Sequence, residues 1–224
     1  NFERWSLKAN KNRIITISIS QPADYCISSL NDHTICIKTP YSDIINLHIN
    51  DIEPHTLNNI LFSIALSYEA GARSSNVIKG LHNYNDVDGR FSIEKGYHGS
   101  KVIDSSYNAN PHSFIASINS LVKLDCEPWL VMGEMGELGK NSELYHKQVA
   151  RYAYNMGVKK LFVISEHASA ILDEFGQNSY AFDSIEALII FIKPQLHDNV
   201  NILVKASRFM KFEIIVNALT ERKN

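Results

Sequence analysis

Cysteine is scarce in this sequence. Cys26, Cys36 and Cys126 are the only three in 224 residues, and no two form a C-x-x-C pair. An odd, widely spaced set argues against a disulfide framework and against a zinc site, and predicts small buried thiols in a reducing compartment. Long apolar runs are missing too. The longest, Ala187–Ile192, stops at Lys193-Pro194, far short of the roughly 18–20 residues that cross a bilayer, so no membrane insertion is expected. Nor is there an excess of one charge: 22 Lys+Arg face 24 Asp+Glu, a net charge of −2. The basic footprint of a nucleic-acid binder is therefore absent, and no such partner is expected. Asn1-Phe2-Glu3-Arg4 carries neither an initiator Met nor a signal-peptide pattern. The expectation is a cytoplasmic chain that begins inside a longer protein.

What is present, 45% hydrophobic and 21% charged residues, is ordinary for a folded protein. The pattern changes near Gly89-Arg90. Before it come four runs rich in Ile and Thr (13–19, 25–30, 34–39 and 44–49), with Asn31-Asp32 as a hairpin turn between the second and third. A helix is predicted over 55–70, with Leu57, Leu61, Ile64, Ala65 and Tyr68 near 3.6 periodicity and Gly71 as its C-cap. A shorter one over 74–80 also ends in Gly. After Arg90, strands at 91–94, 101–104, 129–132, 160–164, 179–181 and 201–204 alternate with helices at 111–124, 142–156, 168–175, 184–192 and 209–220. Short strands apolar on both sides, interleaved with helices, imply a parallel sheet covered on both faces. Ligands of such sheets sit at the carboxyl ends of the strands. The polar segments Asp104–Asn110, Gly133–Gly139 and Lys205–Arg208 lie there.

Gly133-Glu-Met-Gly-Glu-Leu-Gly139-Lys140 is not a phosphate-binding P-loop. Its outer glycines are six apart, Asn141 follows the Lys, and Glu134 and Glu137 would face the phosphates. It reads equally as a plain strand-to-helix turn or as a substrate-facing loop. In Asp104-Ser-Ser-Tyr-Asn-Ala-Asn-Pro111, Asn110 suffices as an N-cap before Pro111, which leaves Asp104, Tyr107 and Asn108 surplus. His55 and Asn59 share a helix face at i and i+4, and Asn is a poor mid-helix residue. Arg90 is a candidate anion contact. Lys205-Ala-Ser-Arg208 places two cations and a hydroxyl at a predicted helix start, where they oppose the macrodipole; a solvated helix start and a bound anion both fit. The remaining histidines show no metal-ligand spacing and read as structural, so no metal site is expected.

Taken in order, His55-Thr-Leu-Asn-Asn59, Gly89-Arg90, Asp104–Pro111, Gly133–Gly139 and Lys205-Ala-Ser-Arg208 with Met210 and Glu213 resemble the Mur ligases of peptidoglycan synthesis over about residues 13–220. The resemblance is to the member that adds D-Ala-D-Ala to UDP-MurNAc-tripeptide. It implies an α/β fold: a Rossmann-like C-terminal domain with a mainly parallel sheet over 89–224, preceded over 1–88 by the β-rich and helical end of the central ATP-binding domain. It implies a monomer that forms an amide bond through an acyl phosphate, using ATP and Mg2+ held mainly by a region outside this chain, which alone would be inactive. By the same resemblance Arg90 and Asp104 are catalytic. His55, Asn59, Arg90, Asp104 and Tyr107 would lie against the nucleotide, and Asn108, Asn110, Gly136, Ser207 and Arg208 against the tripeptide and the incoming dipeptide. The chain departs from the family pattern at Ser105, where a second acid is usual, at Thr56 (usually Asn), Ala206 (usually Gly) and Glu134 (usually Asp). A related Mur-type or folylpolyglutamate-type ligase and a non-catalytic binding module derived from one are the alternatives.

Overall fold

A computed structural model describes residues 8–9, 13–31, 34–41, 44–48, 54–83 and 89–221, and of Pro54 and His55 the backbone only. The chain divides into two compact units, Asn1–Asn85 and Asp86–Asn224.

The first unit holds a four-stranded sheet of β1 (Ile17–Ser18), β2 (Tyr25–Asn31), β3 (Thr34–Lys38) and β4 (Ile44–His48), in that order. β1 pairs parallel with β2, and the other pairs are antiparallel. Alternation buries Ile35, Ile37, Ile45 and Leu47 on one face, where they cluster with Leu57, Leu61, Ile64 and Tyr68 of helix α1 (Pro54–Glu69). Only Ile17 and Ser18 of the run predicted over 13–19 join the ladder. Thr16 also engages Asp24, whose Oδ2 accepts from its backbone N–H (2.8 Å) and its hydroxyl (2.7 Å), while the Thr16 carbonyl accepts from the Tyr25 N–H (3.1 Å). Asp32 and Ile49 lie outside the described residues. Gly71 follows α1 with φ +89°, as the C-cap expectation required. Helix α2 (Ser74–His82) runs past Gly80, which has no left-handed backbone to stop it.

The second unit is built on a six-stranded sheet: β5 (Ser92–Lys95), β6 (Lys101–Ser105), β7 (Glu127–Met132), β8 (Lys160–Val163), β9 (Ser179–Ala181) and β10 (Val200–Lys205). The order is β5-β6-β10-β7-β8-β9, antiparallel at β5–β6 and parallel elsewhere. Successive side chains enter opposite cores. Ile103, Leu130, Leu161 and Leu203 pack with helices α3 (Pro111–Val122), α4 (Ser142–Asn155) and α5 (Ala168–Phe175). Val102, Val131, Phe162 and Ile202 pack with α6 (Ile185–Ile192) and α7 (Glu213–Leu219). This is the α/β sheet, covered on both faces, that the alternation implied.

The helix predicted over 209–220 is broken. Arg208–Met210 forms a 3-10 turn, Lys211 takes φ +53°, and α7 begins at Glu213. The break turns Phe212 into the core, fully buried, so tightly that a Cβ on Gly133 would meet its ring at 2.6 Å. The helix-start argument for an anion at Lys205–Arg208 therefore fails. The cysteines are free, as expected, but half-buried rather than buried.

Candidate functional site

Strand register places the three polar segments side by side. Lys205, the last residue of β10, pairs with Ser105 at the end of β6 and with Met132 at the end of β7. The loops leaving these strands are stitched together across long sequence separations. The Gly136 N–H donates to Ser207 Oγ (2.8 Å), whose hydroxyl is 3.4 Å from the Ala109 carbonyl. Ser207 N–H donates to the Glu134 carbonyl (2.8 Å). Lys205 Nζ donates to Ser105 Oγ (3.0 Å) and to the Asn108 carbonyl (2.9 Å).

Lys205 is 3% exposed, and among the described residues no carboxylate forms an ion pair with it. Burial pushes its ammonium down to about 8. Lys205 is thus an internal strut rather than a cation at the surface.

Three predicted residues do converge on the surface. Gly89 has φ +79°, and a Cβ there would lie 2.9 Å from the Tyr107 nitrogen, whose N–H donates to the Gly89 carbonyl (3.1 Å). Only glycine permits that approach, and it sets Arg90 beside Tyr107. The Arg90 guanidinium lies 4.8 Å from the Tyr107 ring centroid and that of Arg208 lies 5.9 Å from it. Arg90 is exposed, Tyr107 is 42% exposed, and Arg208 reaches Glu213 Oε1 at 3.5 Å. Two guanidiniums around one half-exposed ring can take up a phosphate or a carboxylate.

Other predicted residues are turned to structural work. Asp104 is 3% exposed and its Oδ1 accepts from Ser106 N–H (2.9 Å), so it anchors the loop. Ser207, also 3% exposed, is the tie described above. Asn108 Oδ1 accepts from Ala109 N–H. Asn110 caps α3 in a reciprocal box with Ser113. His55 and Asn59 lie on α1 in the first unit, where Asn59 is exposed.

Sequence spacing missed a pocket of about 690 Å3 beyond the ends of β7, β8 and β9, lined in part by Glu134, Gly136, Ser165, Phe182 and Phe209. It also missed that Glu134 meets His146 and His167 at its edge. Burial opposes the charge on Glu134, but hydrogen bonds from its neighbours, the Glu166 N–H among them, outweigh it and hold the carboxyl at about 2. The positions 134, 146 and 167 carry no ligand periodicity, and only the fold brings them together.

The family described as "Mur ligase, glutamate ligase domain" matches residues 89–208. The UDP-N-acetylmuramoyl-tripeptide–D-alanyl-D-alanine ligase of Escherichia coli (strain K12) is 33% identical over 169 residues, 75% of this chain and 37% of that protein. The ligase of the same name from Buchnera aphidicola subsp. Acyrthosiphon pisum is 26% identical over 98% of this chain and 50% of its own length. This chain thus spans half or less of the length of these relatives. A MurF crystal structure from Acinetobacter baumannii superposes with a TM-score of 0.79 at 23% identity, over 98% of this chain and 49% of that one. A MurF ligase from Thermotoga maritima, in complex with ADP, gives 0.73 at 19% identity over 97% and 51%. The three stitched loops fall within the matched residues, and the chain belongs to the Mur ligase family.

Proposed function

We propose that this chain is the C-terminal part of an ATP-dependent ligase that joins D-Ala-D-Ala to UDP-MurNAc-tripeptide, residues 1–88 belonging to its central ATP-binding domain and 89–224 to its C-terminal domain. The observation that carries this reading is the Arg90–Tyr107–Arg208 cluster at the carboxyl ends of the central strands. In the proposed reaction the tripeptide carboxylate attacks the γ-phosphorus of ATP and ADP leaves. The dipeptide amine then attacks the acyl phosphate carbon, and phosphate departs as the nitrogen loses its proton. Such chemistry needs charge neutralisation and positioning above all.

In this chain Arg90 and Tyr107 meet the nucleotide. Arg208 pairs with the dipeptide carboxylate, and Asn108 and the Gly136 turn face the peptide ends. Asp104, Lys205 and Ser207 hold those loops in register. Mg2+, which takes oxygen ligands, supplies charge neutralisation at the phosphates. Among the described residues the one three-ligand group, Glu134–His146–His167, offers two nitrogens and does not fit it. By the resemblance to the family, the cation is held mainly by a part of the enzyme outside this chain.

The test uses the enzyme made from its complete reading frame. Phosphate release should require ATP, the tripeptide substrate and D-Ala-D-Ala together. Arg208→Ala should raise the KM for the dipeptide roughly 10–100-fold, the worth of a charged hydrogen bond. The 224 residues alone, lacking a P-loop, should turn over nothing. Preference for a free amino acid as acceptor would move the chain to a sister ligase, and absence of any ligation would leave a binding module.

A further inference from the structure

The pocket edge holds a cluster that the ligase reading does not use. Glu134 follows β7, His146 sits in the first half of α4, and His167 directly precedes α5. One ligand atom from each lies within 4.8 Å of the others. We propose that Glu134, His146 and His167 form a binding site for a divalent transition metal of the zinc class, independent of the ligase activity.

The geometry supports this in three ways. First, the His146 ring is fixed. Its Nδ1 is 2.8 Å from the Ser142 carbonyl, which can only accept, so Nδ1 carries the proton and Nε2 is left with its lone pair. A histidine whose far nitrogen is held by a carbonyl is the usual arrangement of a metal ligand.

Second, that Nε2 lies 3.2 Å from Glu134 Oε2. On a neutral ring these are two acceptors side by side; the Met135 N–H reaches Nε2 at 3.0 Å, and a bridging cation would take its place. The separation already matches the roughly 3.3 Å edge of a tetrahedron with metal–ligand bonds near 2.0–2.1 Å. Glu134 is steadied by the Glu166 N–H, which donates to its other oxygen at 2.7 Å.

Third, access and completion are present. The side chains of Glu134 and His167 are 15% and 18% exposed, while His146 is fully buried. His167 Nε2 lies 3.1 Å from Ser142 Oγ and 3.4 Å from Glu166 Oε1, and Ser142 and Glu166 both line the pocket. A fourth position therefore opens to it. Two nitrogens and one carboxylate form a donor set that zinc accepts with a position left free, and that Mg2+ and Ca2+ do not favour. Binding displaces the Met135 N–H from His146 Nε2, where it now donates at 3.0 Å, and draws His167 inward by about an ångström.

Metal-free protein, the full 224-residue chain, is titrated with ZnCl2 by calorimetry and with CoCl2 by visible absorption. One saturable equivalent is expected for each, with the d–d bands of a low-coordinate Co2+ site. His167→Ala and Glu134→Gln should each weaken binding by more than the roughly 10–100-fold that loss of an outer hydrogen-bond partner costs, and His167→Ala should keep the wild-type thermal melt without metal. His112→Ala, an exposed histidine on α3, should leave binding unchanged. The His146 ring is buried and is left unaltered, so that loss of binding in the other two reports ligation rather than a damaged core. No saturable equivalent, or undiminished binding in His167→Ala, overturns the site and leaves a hydrogen-bonded clamp.

Discussion

At the residue scale, position 105 governs the state of position 205. Where the family pattern has an acid, Ser105 meets Lys205 Nζ with a hydroxyl, and the buried ammonium drops from 10.5 to about 8. The unfolded chain keeps the ordinary value, so between pH 8 and 10.5 it binds more protons than the folded one. Stability therefore rises with pH across that window, and the cost of burying the charge is fully present below pH 8. The cost is on the order of 3 kcal/mol. Ser105→Asp supplies a counter-charge at hydrogen-bond distance. It should add about 1 kcal/mol at pH 7 and flatten the rise between pH 8 and 10.5. Urea midpoints at pH 7 and pH 9.5 for the two proteins check this, and a variant as pH-dependent as the parent refutes it.

At the scale of elements, Asn110 separates a cap from a substrate contact. Its side chain accepts from Ser113 N–H (2.8 Å), and Ser113 Oγ accepts from Asn110 N–H (3.0 Å). Asn110→Ala should cost about 1 kcal/mol of stability, while Asn110→Ser, which keeps the cap, restores it. If the ligase KM follows the cap rather than the amide, Asn110 acts through α3. This also marks how far the sequence could be read. Strands such as Trp129–Met132 and helices such as Ala168–Phe175 declare themselves by two-sided apolar runs and by periodicity, and the capping box is local to four residues. The ties through Lys205, Ser207 and Glu134 span 100, 98 and 32 residues. Nothing in local spacing tells that Asp104 is buried or that His146 meets His167. The break at Lys211 was equally hidden, because Phe212 leaves the helix pattern to fill a space beside Gly133, 79 residues away.

At the scale of the whole molecule, each apolar cluster draws on one unit alone. Tyr25, Ile35 and Leu61 stay among residues of the first unit, and both cores of the second lie within it. Residues 86–224 expressed alone should therefore fold, with a single cooperative melt and native-like near-ultraviolet dichroism. A broad, non-cooperative transition would contradict this. The order of strands in that unit has a bearing on its synthesis. β10, the last strand in sequence, sits between β6 and β7, and its pairing with β6 joins residues 100 positions apart. At roughly 5–20 residues per second, β6 leaves the ribosome some 5–20 s before the strand that fills the gap beside it. For that interval the nascent chain displays two unpaired strand edges, apolar on both faces, that are open to pairing with other chains.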